Sequence, residues 1–190
     1  MEKFSAKKAL IPAVSLGLIC LIVTMLLSIT NAVTNPIINK REEDKAEETR
    51  MIVLPDASEF REVSSMEGTF EGINEHGDTV GYVFTTSVKG YGGEILVMTG
   101  ISLESEVKGV SILSQNETPG LGANATKEEF RNQFKGDVPK DGFAVVKGEP
   151  DDGQIEAMTG ATISSKAVTD AVNIAIKGFH DIYDSGVSCE

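Results

Sequence analysis

Thr159-Gly160-Ala161-Thr162-Ile163-Ser164-Ser165 runs directly into Lys166-Ala167-Val168-Thr169-Asp170-Ala171-Val172, and the fold can be read outward from this join. From Ser164 to Tyr183, apolar residues recur at helical spacing, with Val168, Ala171, Val172, Ala175, Phe179 and Ile182 on one face. An amphipathic helix of this kind needs an apolar layer to cover its buried face. The small and hydroxylated residues just before it suit a helix N-terminus, where side-chain oxygens accept from unpaired N–H groups.

That layer is found upstream. Thr79–Ser87, Gly93–Leu103 and Val107–Ser114 are rich in Val, Ile, Phe and Thr and are separated by Gly and charged residues, which predicts three strands. Lys127–Phe134 reads as a short helix, and Phe143–Val146 and Gln154–Met158 as further strands. Strands first and helices later predict an α+β domain with a mainly antiparallel sheet and packed helices.

Further out lies a segment of different character. Ala9 to Asn39 carries no charged residue, and Leu10 to Ile29 is its densest apolar part. About 20 such residues span a bilayer as a helix. Lys3, Lys7 and Lys8 supply a basic flank, as in a signal peptide, but the apolar run exceeds a signal h-region and no clear small-x-small site follows it. A retained anchor is therefore expected. Basic residues lie on both sides of it, and Lys7 and Lys8 abut the run, which favours an inside N-terminus. Asn39 to Ile52 is charged and Gly-free and predicts a helical stalk ended by Pro55. The expected organisation is a cytoplasmic N-terminus over 1–8, a transmembrane helix over 9–30, a stalk over 31–55 and an extracytoplasmic domain over 56–190.

Composition narrows the chemistry. The net charge is -12, which disfavours nucleic-acid binding. Cys20 sits in the apolar run and Cys189 next to the C-terminus, positions that make a disulfide between them unexpected, and two thiols are too few for an iron–sulfur cluster. His76 and His180 have no metal-ligand spacing around them. If the chain moves electrons, its redox centre is organic. No acid–base pair or nucleophile arrangement points to substrate turnover by the chain alone.

Three segments carry possible chemistry. Lys89-Gly90-Tyr91-Gly92-Gly93 allows close backbone approach, and also reads as a plain turn into the next strand. Asn116-Glu117-Thr118-Pro119-Gly120-Leu121-Gly122 holds a Pro-Gly type II turn and forms either a simple turn or a polar loop for a flat ring. Thr159 to Ser165 is either an ordinary helix cap or a phosphate site, since a helix N-terminus offers free N–H groups and partial positive charge. Gly160 and Ala161 leave room around the Thr162 hydroxyl.

In this order, Gly-Tyr-Gly-Gly, Glu-Thr-Pro-Gly-Leu-Gly and Thr-Gly-Ala-Thr resemble the FMN-binding domain of the G subunit of the Rnf electron-transport complex. The C subunit of the sodium-translocating NADH:quinone reductase shares that domain. The resemblance covers nearly the whole chain. It implies that Thr162 carries FMN covalently through a phosphoester, with Thr159, Gly160, Ala161, Ser164 and Ser165 around the attachment point. It implies that Glu117, Thr118, Gly120, Leu121 and Gly122 approach the flavin, with Tyr91 and Met158 packing on the ring. It also implies a separate flavin transferase that uses FAD as donor and magnesium as cofactor. That enzyme commonly prefers Asp six residues before the modified Thr, where this chain has Glu156.

The function implied is a membrane-anchored electron carrier in a ferredoxin:NAD oxidoreductase that couples electron transfer to sodium or proton movement. Its implied partners are the other Rnf-type membrane subunits, especially the D subunit and the iron–sulfur-carrying A/E pair. Two neighbouring readings are the quinone-reductase C subunit, whose chains are typically longer, and a free-standing extracytoplasmic flavoprotein. A third is a non-redox anchored domain with three coincidental turns.

Overall fold

The computed structural model describes residues 6–64 and 66–185. Cys189, Lys3 and the outer ends of the expected terminal segments lie outside the described residues. Two units are distinguished, one ending at Lys45 and one running from Ala46. Helix α1 covers Ala6–Val53, so the predicted anchor and stalk are stretches of one helix. Its segment Val14–Asn35 is long and apolar enough to cross a membrane. The helix ends just before Leu54 and Pro55, as the proline predicts.

The unit from Ala46 is built on a six-stranded antiparallel meander. Its strands are β1 (Glu59–Glu62), β2 (Thr69–Ile73), β3 (Thr79–Lys89), β4 (Glu94–Ser102), β5 (Glu106–Ser114) and β6 (Gly136–Asp137), in sequence order across the sheet. Strands β3, β4 and β5 match the predicted runs within a few residues. Two short strands, β7 (Ala144–Val146) and β8 (Gln154–Glu156), pair in parallel in a separate sheet. The predicted helix at Lys127–Phe134 is one α turn, α2 (Glu128–Arg131), followed by a 3-10 turn over Asn132–Phe134. A further 3-10 turn covers Gly122–Thr126.

Alternation along the strands divides the core between the two faces of the sheet. Tyr82, Phe84, Ile95, Val97 and Ile101 face helix α3 (Thr162–Ser185), which presents Val168, Ala171, Val172, Ala175 and Phe179 to them. Phe134 packs edge-on against Phe130 and Phe143 in the same cluster. Asn173 of α3 fixes the chain before β7, accepting from the Phe143 N–H at 2.8 Å and donating to the Phe143 carbonyl at 2.9 Å. On the opposite face, Val53 and Leu54 pack with Ala57, Val83 and Met98. Gly100 and Gly109 are cross-strand partners beneath Val53. A Cβ on Gly100 would collide with the Val53 carbonyl, and one on Gly109 would lie 2.9 Å from Val53 Cα. The paired glycines make a notch in the sheet for the end of α1.

Candidate functional site

Three connections meet at one end of the sheet. The first joins β3 to β4. The Gly90 N–H donates to the Gly93 carbonyl at 2.7 Å, closing a tight turn that leaves Tyr91 at its tip, 72% exposed. The second follows β5. Thr118-Pro119-Gly120-Leu121 turns sharply, with Gly120 at φ 80° and the Leu121 N–H donating to the Thr118 carbonyl at 3.1 Å. Positive φ on the glycine that follows proline is the type II geometry expected from the sequence. The third connection leads into α3. Here Gly160 has φ 73°, and the Ala161 N–H donates to the Met158 carbonyl at 2.9 Å.

Helix α3 then begins at Thr162. Ser165 locks this start: its hydroxyl donates to the Ala161 carbonyl and accepts from the Met158 N–H, each at 3.0 Å. The Ser165 N–H makes the first bond across the cap, to the Ala161 carbonyl at 2.9 Å. The N–H groups of Thr162, Ile163 and Ser164 precede it and form the open end of the helix. Such an end carries partial positive charge and receives a phosphate well.

Glu117 binds the three connections together. Although acidic, it is only 6% exposed. Its Oε1 accepts from the Gly92 N–H at 2.9 Å, and its Oε2 accepts from the Ser164 hydroxyl at 2.5 Å. Its own N–H donates to Gln115 Oε1 at 2.6 Å. A Cβ on Gly122 would collide with both Glu117 Oε2 and Ser164 Oγ, so only glycine fits there without displacement.

These elements enclose a pocket of about 510 Å³. The first two connections contribute Tyr91, Glu117, Thr118, Leu121 and Gly122, and the third contributes Gly160, Ala161, Thr162, Ile163 and Ser164. The volume falls in the range of small-molecule sites. Half-buried Thr162 lines it at the helix end, while Tyr91, Leu121 and Ile163 add exposed apolar surface to its lining. The donor set and the apolar rim fit a flat aromatic ring carrying a phosphate, as in a flavin mononucleotide.

Nine of the thirteen residues expected at the site line this pocket. Met158, Thr159 and Gly120 instead line an adjoining hollow of about 580 Å³ with Lys127, Phe130, Gln133 and Glu156, and Leu121 borders both. Ser165 is buried beneath the helix start. The Glu156 N–H donates to Gln133 Oε1 at 2.7 Å, which fixes the strand leading to Met158. Sequence reading gives no role to Ile163 or Gln115. Ile163 lies off the core face of α3, a signal that it has another use. Gln115 acts through a local bond that leaves no mark in sequence, whereas Gly92, in the glycine-marked turn, acts through its backbone N–H.

The FMN-binding domain family matches residues 90–177, the span that contains all three connections. The G subunit of the proton-translocating ferredoxin:NAD(+) oxidoreductase complex of Clostridium ljungdahlii is 36% identical over 163 residues, covering 86% of this chain and 87% of that one. Its counterpart in the Na(+)-translocating complex of Acetobacterium woodii is also 36% identical, over 190 residues, covering 88% and 91%.

The chain belongs to this G-subunit family.

Among solved structures, Shewanella oneidensis NqrC has the same fold, with a TM-score of 0.51 at 22% identity over 67% of each chain. The G-subunit sequence thus carries an FMN-binding domain and, among the described residues, one apolar N-terminal helix, as a single-pass membrane protein of its family.

Proposed function

We propose that this G-type protein carries FMN esterified through its phosphate to the Thr162 hydroxyl, and that it relays electrons within an Rnf-type complex. Membership in a redox-driven ion-translocating complex follows from the family. The attachment residue rests on one observation: Thr162 is the first residue of α3 and lines the pocket. When bound, the flavin supplies one- and two-electron chemistry. The chain supplies the setting. The open helix end receives the phosphate, Tyr91, Leu121 and Ile163 flank the ring, and Glu117 keeps the three connections in register.

A covalent link suits a domain outside the cytoplasm, where a dissociated cofactor is lost by dilution. The domain is accordingly assigned to the extracytoplasmic side, with the D subunit and the iron–sulfur-carrying A/E pair as its redox neighbours. A flavin transferase installs the group, reading the segment that contains Glu156.

Intact-mass measurement of the chain co-expressed with such a transferase tests the attachment. The expected gain is one FMN less one water, located on the peptide containing Thr162. An unmodified chain beside a transferase active on another substrate would overturn the reading. Sidedness is tested with protease on cells whose outer permeability is controlled. Digestion of the domain before lysis is expected, and protection until lysis contradicts the assignment.

A further inference from the structure

Glu117 does more than the attachment of a flavin requires. Among the described residues lining the pocket it is the one acidic group, and it is almost wholly buried. Gly92 donates to one of its oxygens and Ser164 to the other. A Cβ on Gly90 or Gly122 would strike Oε1 or Oε2 respectively, so the carboxylate is enclosed on both sides. An N–H donor on one oxygen and a hydroxyl on the other suit the ionised form, which has acceptor sites on both. The charge is therefore held at the pocket wall and cannot swing out to water.

We propose that Glu117 is a positioning residue that keeps a fixed negative charge on the pocket wall and holds the potential of the bound flavin low. This rests on FMN occupying the Thr162 pocket. Electrons arriving from the complex add negative charge to the pocket's contents. A neighbouring carboxylate opposes that gain, and the low dielectric of the buried wall strengthens the opposition. The partial positive charge of the α3 N-terminus acts in the opposite sense. Ser164 lies between the two, donating to the carboxylate from the first turn of the helix. Removing its hydroxyl leaves the charge less compensated, whereas removing the charge itself relieves the opposition. Two substitutions in one hydrogen-bonded pair should thus move the potential in opposite directions.

The test is a spectroelectrochemical titration of the full-length, flavin-bearing protein in detergent, read on the flavin-bearing fraction alone. Glu117→Gln keeps an oxygen for the Gly92 N–H and offers an amide to Ser164, while removing the charge. Its ratio of reduced to oxidised flavin at a fixed potential is expected to rise about tenfold, equivalent to ~30 mV for a two-electron couple. Ser164→Ala keeps the charge and is expected to shift the ratio the other way. A Glu117→Gln protein with the wild-type potential overturns the proposal, as do shifts of the same sign in both variants, the result of a merely structural prop. If Glu117→Gln does not fold, Ser164→Ala decides alone: a potential that fails to fall overturns the proposal. Wild-type protein without flavin would instead refute the occupancy of the pocket, so the two failures are distinguishable.

Discussion

The Ser164 hydroxyl donates to Glu117 Oε2 across 2.5 Å, fastening the first turn of α3 to the loop that follows β5. The two residues are 47 positions apart, and both are buried. The bond joins the segment offering Thr162 to the segment forming the opposite wall of the pocket. Its partner is an almost wholly buried carboxylate, so its loss leaves a poorly solvated acceptor. Ser164→Ala is expected to lower the unfolding free energy by about 2 kcal/mol, as for hydrogen bonds to charged groups. Chemical denaturation of the domain measures it, and an unchanged midpoint would show that this bond does not stabilise the fold.

Gly122 makes a sharper demand. A methyl group there meets Glu117 Oε2 and Ser164 Oγ at once, and neither can retreat without breaking their bond. Gly122→Ala is expected to cost about 1–3 kcal/mol, the range for overpacking. It should also reduce flavin attachment, because the displaced groups border Thr162. Thermal melts and flavin content read the two effects together. A variant with wild-type melting and full flavin content would show that the wall yields easily.

On the other face of the sheet, Leu54 is fully buried where the chain leaves α1. It packs in the cluster with Val53, Val83 and Met98. Leu54→Ala is expected to destabilise the domain by about 2–5 kcal/mol, the range for a buried leucine truncation. Flavin attachment should persist at temperatures where the domain stays folded, because this cluster is on the far side of the sheet from α3. Melting curves beside flavin content check it, and a loss of flavin without a loss of stability would contradict that separation.

Much of the fold is legible in the sequence because its periodicities are long. Helix α3 shows its core face from Val168 to Ile182, about four turns, and β3 to β5 are long β-rich runs bounded by glycine and charge. Strands β1 and β2 escape notice for physical reasons. Glu59-Phe60-Arg61-Glu62 is a mostly exposed edge without an apolar face. Thr69-Phe70-Glu71-Gly72-Ile73 hides a carboxylate, to which the Thr79 hydroxyl donates at 2.6 Å. The notch formed by Gly100 and Gly109 depends on cross-strand register, which no single segment encodes.

The site divides in the same way. Thr162, Leu121 and Tyr91 are recognisable because their motifs are local and glycine-marked. Glu117 is expected at the flavin, and its carboxylate is engaged by Gly92 and Ser164. That role depends on long-range partners brought together by the fold. Met158 is expected on the ring and Thr159 around the attachment point; both precede the left-handed turn at Gly160 and line the adjoining hollow.

Covalent attachment at Thr162 is tested most directly by in-gel flavin fluorescence of the denatured chain co-expressed with a flavin transferase, wild type beside Thr162→Ala. Denaturation strips any flavin held only by the pocket, so only a covalent link survives. The expected result is a fluorescent wild-type band and a dark Thr162→Ala band of equal protein intensity. A Thr162→Ala band as bright as the wild type, or a dark wild type beside a transferase that labels another substrate, would contradict attachment at this residue.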